Sequence, residues 1–450
     1  ESAAETRLAA AAAEGVPADL SGLDPEARTV RGAFIRALLL DQLAAGPARG
    51  LGLRARGLRI AGPVDLSGLG REGAPLPPLA LEGCDAVEPD GIVLDIAEAR
   101  LVGLAASDCA LAYIRAAGAT SLSTLALGFC RVSSRDPARD ADAALDLKGI
   151  HVEGSLDLYG LKPVDGRPSP YLDLDRAVIA RSLFLGRSEL SRLDLIGAQV
   201  GGDLMLQGAK VLGPASTHCL VADRLRCAGN VMLDGGRFRG AVRLLGARIG
   251  GQLSATPLAR AEPDEKGRTE DPALFVAEGD ALVCEAAEIG ASVFLSALGA
   301  SGGLRFVDAT IRGSLNLDRA EMPQLRLAKA QVTGDINLRI ARVLAPDGQA
   351  SVNADSLRCE GSLILDGGTF RGEIRLVGAR IARQLNATPR RHAPAAAGEA
   401  PRYEAAAIWA EGDALSCDSA EISGGGFMTA VQVRGTVRFI GARPASFNAT

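Results

Sequence analysis

The stretch Leu193–Gly213, LDLIGAQVGGDLMLQGAKVLG, carries one pattern twice, eleven residues apart. Leu193, Leu195, Ala198, Val200 and Gly202 recur as Leu204, Leu206, Ala209, Val211 and Gly213. The unit is L-x-L-x-G-A-x-(V/I)-x-G-x. Its apolar residues alternate with polar ones, skip a place, and alternate again. That is the strand period, in pieces too short for ordinary strands and too regular for loops. Two units make about 22 residues, enough for one coil of a parallel β-solenoid. A single unit cannot bury its apolar face, whereas stacked coils can.

The pattern extends outward from this stretch, from Leu53 to Val437, with spacings of 10 or 11 where no insertion intrudes. A longer duplication lies on top of it. Leu193–Thr256 matches Leu325–Thr388 at an offset of 132, LRCAGNVMLDGGRFRG against LRCEGSLILDGGTFRG. Beyond a loop, AEGDALVCEAAEI matches AEGDALSCDSAEI at an offset of 133. The two loops, Pro257–Pro272 and Pro389–Ala405, are expected to leave the coil at the same corner. Their sequences differ, which argues against one shared catalytic duty. Shorter insertions are Ser133–Ala143 and Leu161–Pro170.

Composition agrees with a narrow apolar interior. The chain has 54 glycines and only 4% aromatic residues, so Leu, Val, Ile and Ala are expected to fill the coil, with little room for rings. Residues 1–50 stand apart. Glu5–Glu14 is alanine-rich and helix-prone. Asp24-Pro25-Glu26 reads as an N-cap, a first-turn proline and a first-turn acid. The helix behind it reaches about Gln42, has Val30, Phe34, Ile35, Leu38 and Leu39 on its apolar face, and stops at Gly46-Pro47. Such a cap would cover the strand edges of the first coil. The expected division is a helical cap over 1–50, a repeat body over 51–443 with its internal duplication at 193–324 and 325–443, and a tail over 444–450.

The spacing A-x-(L/I)-x-G, as in Ala247-Arg248-Ile249-Gly250-Gly251, resembles that of the pentapeptide-repeat proteins. The resemblance covers roughly Leu53 to Ala442 and departs from the family in carrying a sixth residue on every second face. The texture of the chain is also similar to that of long actinobacterial proteins labelled "membrane-associated oxidoreductase". These resemblances imply a bacterial, all-β chain folded as a right-handed parallel β-solenoid (β-helix) with a small α-helical N-terminal cap. The handedness comes from the family, not from the spacing. No residues carry the chemistry of the oxidoreductase label.

Chemistry is hard to find elsewhere. Of eight cysteines, Cys84, Cys109 and Cys130 fall in the Ala slot, Cys227 and Cys359 in the Val/Ile slot, and Cys284 and Cys417 in the second Leu slot. All are inward places, where a thiol is a small apolar filler. No CxxC pair occurs, and His151, His218 and His392 are scattered, so no metal, cofactor or catalytic residue is expected. Reduced thiols suggest the cytoplasm. Membrane association is left to a segment outside this sequence, because no apolar run is long enough for a transmembrane segment. A net charge of −5, one Trp and four Tyr predict no nucleic-acid partner. Gly424-Gly425-Gly426 sits in repeat positions and is no phosphate loop. Asn448-Ala449-Thr450 matches a glycosylation acceptor, a common chance match.

The second residue of each unit points outward, and alternate units share a face. One face begins Asp65, Asp95, Arg115, Asp146, Asp173, Asp194 and turns basic with Arg243, Arg305, Arg326, Arg375 and Arg438. The other carries Phe184, Met205 and Met232. Phe439 and Ile440 lie in the last unit. Candidate interaction residues are therefore Phe184, Met205, Met232, Arg305, Arg326, Arg375 and Phe439. The expected function is a non-catalytic scaffold or protein-interaction surface, self-associating through its C-terminal end as a homodimer. One alternative is a carbohydrate-active β-helix enzyme using Asp146, Asp173 or Asp194. A second is a nucleic-acid mimic, which needs continuous acid along one side; the arginines of the second half count against it.

Overall fold

The computed structural model describes residues 1–46, 51–133, 143–263, 267–391 and 403–449. Pro47, most of the insertion Ser133–Ala143, part of the loop Pro257–Pro272, His392 with most of the loop Pro389–Ala405, and Thr450 of the acceptor triplet lie outside the described residues. The protein is mostly β, 40% strand and 6% helix, in long parallel sheets with two helices. It forms two compact units, Glu1–Gly213 with Cys219–Val221, and Pro214–His218 with Ala222–Thr450.

In the first unit, Leu172–Asp173 pairs with Leu193–Asp194, Val178–Ile179 with Gln199–Val200, Leu183–Phe184 with Leu204–Met205, and Glu189–Leu190 with Lys210–Val211. All four pairings are parallel and in register, each joining residues 21 apart (193 − 172 = 21). One pass through four such strands, a rung, therefore ends directly above its own start. The second unit repeats the arrangement: Leu304–Arg305 pairs with Leu325–Arg326, Thr310–Ile311 with Gln331–Val332, Leu315–Asn316 with Ile336–Asn337, and Glu321–Met322 with Arg342–Val343. Strands this short are not stable alone. They persist because every rung hands its backbone donors and acceptors to the next.

The alternation in sequence becomes alternation in burial. Leu193, Leu195, Ala198 and Val200, and their equivalents Leu204, Leu206, Ala209 and Val211, are all buried. After each L-x-L the chain turns sharply: the Ala198 N–H donates to the Leu195 carbonyl at 3.1 Å. The third residue of that turn is Gly197, at φ +66°. Glycine is favoured there because it has no Cβ to clash. Many equivalent corners do without it, and Ile340 holds the same left-handed place at φ +53°.

The interior takes more aromatic residues than the composition suggests. Phe238, Phe275, Phe306 and Phe370 in the second unit are among the largest fully buried side chains. Phe238 and Phe275 meet edge to face with centroids 4.9 Å apart. Stacked rungs let each ring pack on the ring above, so few rings are needed to fill a wide part of the coil.

The N-terminal fifty residues hold two helices, as expected, but the second does not begin at Asp24. Helix α1 spans Ala3–Glu14 and helix α2 spans Gly32–Ala45. Asp24 caps neither. Thr29–Arg31 is instead a strand paired with Arg59–Ala61, and Ala18–Asp19 pairs with Ala55–Arg56. The segment thus contributes strands as well as helices. Val30, expected on the helix face, is buried as a strand residue, while Ile35 and Leu39 carry the buried face of α2. Close packing fixes where α2 begins: a Cβ on Gly32 would lie 2.2 Å from the Pro63 carbonyl oxygen.

The duplicated loops leave the body in the same way. Leu258–Ala259 pairs antiparallel with Glu270–Asp271, and Arg390–Arg391 with Tyr403–Glu404. Each follows a repeated anchor. Asp234 Oδ1 accepts the backbone N–H and hydroxyl of Thr256, both at 2.8 Å, and Asp366 Oδ1 accepts the same two groups of Thr388, also at 2.8 Å.

Candidate functional site

The acidic column is stacked as its spacing predicts. Arg115 pairs in register with Asp146, Asp146 with Asp173, and Asp173 with Asp194. Asp173 and Asp194 are only 3% exposed. The Tyr171 hydroxyl bridges them, 2.7 Å from Asp194 and 3.1 Å from Asp173. Lys148 reaches Asp173 at 2.8 Å, and Arg192 grips Asp194 through Nε at 2.9 Å and Nη2 at 2.8 Å. The Arg192 guanidinium also lies 5.2 Å over the Tyr171 ring. Burial, and then the bond to Asp194, pushes the Tyr171 phenol above its ordinary range. Burial also raises the Asp175 carboxyl. An acid–base pair must come within hydrogen-bond reach of a substrate. These two carboxylates are covered by their own cations.

The arginines are likewise engaged. Arg243 is bound to Asp223, Arg375 to Asp355 at 2.9 Å, and Arg305 to Glu285 at 2.9 Å, each acid lying 20 residues earlier in the chain. Arg305 and Arg326 stand side by side in register and share Asp280, at 3.9 and 2.8 Å. Arg438 holds Asp413 at 2.6 Å and also Asp418. The basic half of the column is therefore counter-charged within the fold.

Of the apolar candidates, Phe184 and Met205 stack in register in the first unit. Met232 lies in the second unit, in register with Ser254. All three are half-buried. Phe439 is half-buried and its neighbour Ile440 is 67% exposed. The eight cysteines are buried and unbridged. Cys84, Cys109 and Cys130 occupy one slot on successive rungs, as the pairings of Leu104 with Leu79 and with Leu125 place them.

Sequence reasoning missed a further site. A concavity of about 710 Å³ lies on the second unit. Its column Arg371, Trp409, Arg434 runs in register across three strands. Trp409, the single tryptophan of the chain, is 42% exposed. The strands fall out of register between Trp409 and Asp413, so Ala410-Glu411-Gly412 bulges and the concavity opens beside it. Bulges re-aim side chains in this way. The loop Pro346-Asp347-Gly348 also lines the concavity. The signal was present in the duplication: Trp409 stands where the first copy has Val276.

Among the described residues, no group of three or more His, Cys, Asp or Glu is placed to hold a metal ion. No described helix is long and apolar enough to cross a membrane. Comparison with protein-family models, curated proteins and solved structures finds no match.

Proposed function

We propose that this chain is a non-catalytic scaffold built as a right-handed parallel β-solenoid of about 22-residue coils, resembling the pentapeptide-repeat proteins. The observation that carries the reading is that charge after charge along the outward column is spent on a partner one rung away, as in Arg375 with Asp355. Such a column holds a surface in shape and leaves little free for acid–base work. Strands that pair in parallel 21 residues apart support the solenoid. Eight buried, unbridged thiols favour the cytoplasm.

Self-association belongs to the same proposal. Strand Gln432–Arg438 pairs with Ala407–Ser416 along one edge, and among the described residues nothing pairs with the other. An open edge is a template for another strand. A second copy related by a two-fold axis brings an identical row of free donors and acceptors. Light scattering should report about twice the chain mass of 46.3 kDa. Val433→Pro, which blocks an edge N–H, should return the monomer. A monomer at all concentrations would refute self-association.

A further inference from the structure

We propose that the Trp409 concavity is a binding site for a neutral saccharide. The two copies of the duplicated block provide an internal comparison. In the first, the equivalents of Trp409, Asp347 and Arg434 are Val276, Ala215 and Ser301. Ser301 closes that place by bonding back: its hydroxyl accepts the Ala277 N–H at 3.1 Å and donates to the Ala277 carbonyl at 3.2 Å. The second copy has exchanged an aliphatic, self-satisfied corner for an indole, a carboxylate and a guanidinium. None of these three changes improves the packing of the coil, since all three side chains are exposed.

The groups that remain available define the ligand. Arg371 Nε is taken by the Ala345 carbonyl at 3.1 Å. Glu373 accepts the Ser416 hydroxyl at 2.6 Å, and Asp413 is held by Arg438. The side chains of Asp347, Glu411 and Arg434 make no hydrogen bond or ion pair among the described residues, and no cation or ring covers the Trp409 indole. The site thus offers a flat aromatic face beside free acceptors and a free donor.

That combination discriminates between ligand classes. With Asp413 neutralised by Arg438, three carboxylates (Asp347, Glu373 and Glu411) still outnumber the arginines Arg371 and Arg434, so a phosphate or a uronate meets net repulsion. A cation seeking the indole face meets the arginines that flank Trp409 on both sides. A purely apolar ligand would strip water from free charges without replacing it. A neutral sugar ring stacks its C–H face on the indole, and its hydroxyls both donate to carboxylates and accept from a guanidinium.

The test uses the whole chain and its single tryptophan, whose fluorescence reports this place alone. The protein is titrated with maltohexaose, cellohexaose, laminarihexaose and xylohexaose, and in parallel with trigalacturonate, ATP and tetralysine. At least one neutral oligosaccharide should shift the emission saturably. Trp409→Val restores the residue of the first copy and should fold with an unchanged melting temperature. By calorimetry it should weaken that saccharide at least about tenfold. Glu411→Gln should weaken it less. Failure of every neutral oligosaccharide, a response only to trigalacturonate, ATP or tetralysine, or undiminished binding by Trp409→Val would each overturn the proposal. Arg434 lies on the strand Gln432–Arg438 that also carries the proposed dimer edge, so the titration is run with light scattering in parallel over a range of protein concentrations, which reads saccharide binding and self-association separately.

Discussion

Arg375 donates to Asp355 across one rung, from Nη2 to Oδ2 at 2.9 Å, and Asp355 lies twenty residues earlier in the chain. The same carboxylate also accepts the Val377 N–H at 3.3 Å. Both partners are half-buried, so the pair is worth more than a fully solvated bridge and less than a buried one. Asp355→Ala should destabilise the protein by about 1 kcal/mol, partly through the lost bond to Val377. Adding Arg375→Met to Asp355→Ala should cost less than the sum of the singles, because the arginine has already lost its partner. Urea midpoints of the four proteins measure this. Strict additivity would show that the pair does not interact in solution.

Ile340 sits at φ +53°, where its branched Cβ is crowded. Ile340→Gly should relieve that strain at the cost of a freer unfolded chain. The net effect should be a stabilisation of about 0.5–1 kcal/mol. At the equivalent type of corner, Gly378 has φ +64°, and the Ser356 hydroxyl oxygen, the nearest atom to its Cβ direction, is in ordinary contact at 3.8 Å. Gly378→Ala should therefore cost about 1 kcal/mol from conformation alone. Opposite signs for the two substitutions are the expected result of thermal melts. A destabilised Ile340→Gly would mean that the side chain contributes more packing than its backbone costs.

The inward slots were legible from period two, because a strand residue has only two directions to point. Leu244 is buried as its slot requires. Leu244→Asp should abolish folding, since an unpaired charge would enter the coil. The outward neighbour shows where legibility stops. Spacing placed Arg243 on the surface, and from that alone its exchange for Asp looks harmless. Its guanidinium in fact reaches back to Asp223 at the preceding corner. Arg243→Asp should set two carboxylates against each other and cost about 1–2 kcal/mol, yet still fold. Circular dichroism of both variants separates the cases. Contacts that slant between rungs depend on side-chain reach, which the period does not encode. The Trp409 concavity was hidden for a related reason: it opens where Ala410-Glu411-Gly412 breaks the register on which the repeat reading relied. Asp24 misled because Thr29–Arg31 gained more by pairing with Arg59–Ala61 than by starting a helix.

Glu5 ties α1 to the strand before α2. Its carboxylate accepts the Ser2 N–H at 3.0 Å and binds Arg31 Nε at 2.8 Å and Nη2 at 2.9 Å. The Arg31 bonds, opposed by burial and helped by the backbone bonds, bring its pKa from 4.5 down to about 2. A carboxyl depressed by folding adds stability above its unfolded value, and that stability fades as pH falls through its folded value. The contribution should thus be full above about pH 5 and be lost between roughly pH 4.5 and 2. Arg31 is 63% exposed, so solvent screening weakens the term. Glu5→Gln should flatten the acid dependence of stability in that window and change it little with further pH rise above 5. Hydrogen exchange in Ala3–Glu14, followed from pH 6 to 3, measures the effect locally; an unchanged slope in Glu5→Gln would exclude this pair as its origin.

Cys84, Cys109 and Cys130 form a ladder of thiols in the interior of the first unit. Their sulfurs lie 3.9, 3.6 and 3.5 Å from the carbonyl oxygens of Ala55, Leu81 and Ala106, one rung earlier in each case. A thiol must ionise to attack a reagent, and ionisation here would place an anion among carbonyl oxygens in an apolar coil. The neighbouring thiol and burial raise Cys109 to about 12, burial raises Cys219 to about 12, and burial with a smaller push from Asp335 and Glu360 raises Cys359 to about 11. Native protein at pH 8 should therefore react with a disulfide reagent such as Ellman's only as fast as the coil opens, and all eight thiols should react at once in denaturant. The ladder adds a positional expectation. Cys109 has a thiol neighbour on both sides, so Cys109→Ala should leave the other two separated by two rungs. Cys109→Asp would instead charge the middle of the column and should unfold the first unit. Rapid native labelling of Cys109, traced by mass spectrometry, would show that this slot faces solvent, and with it the inward register of the whole N-terminal repeat would be wrong.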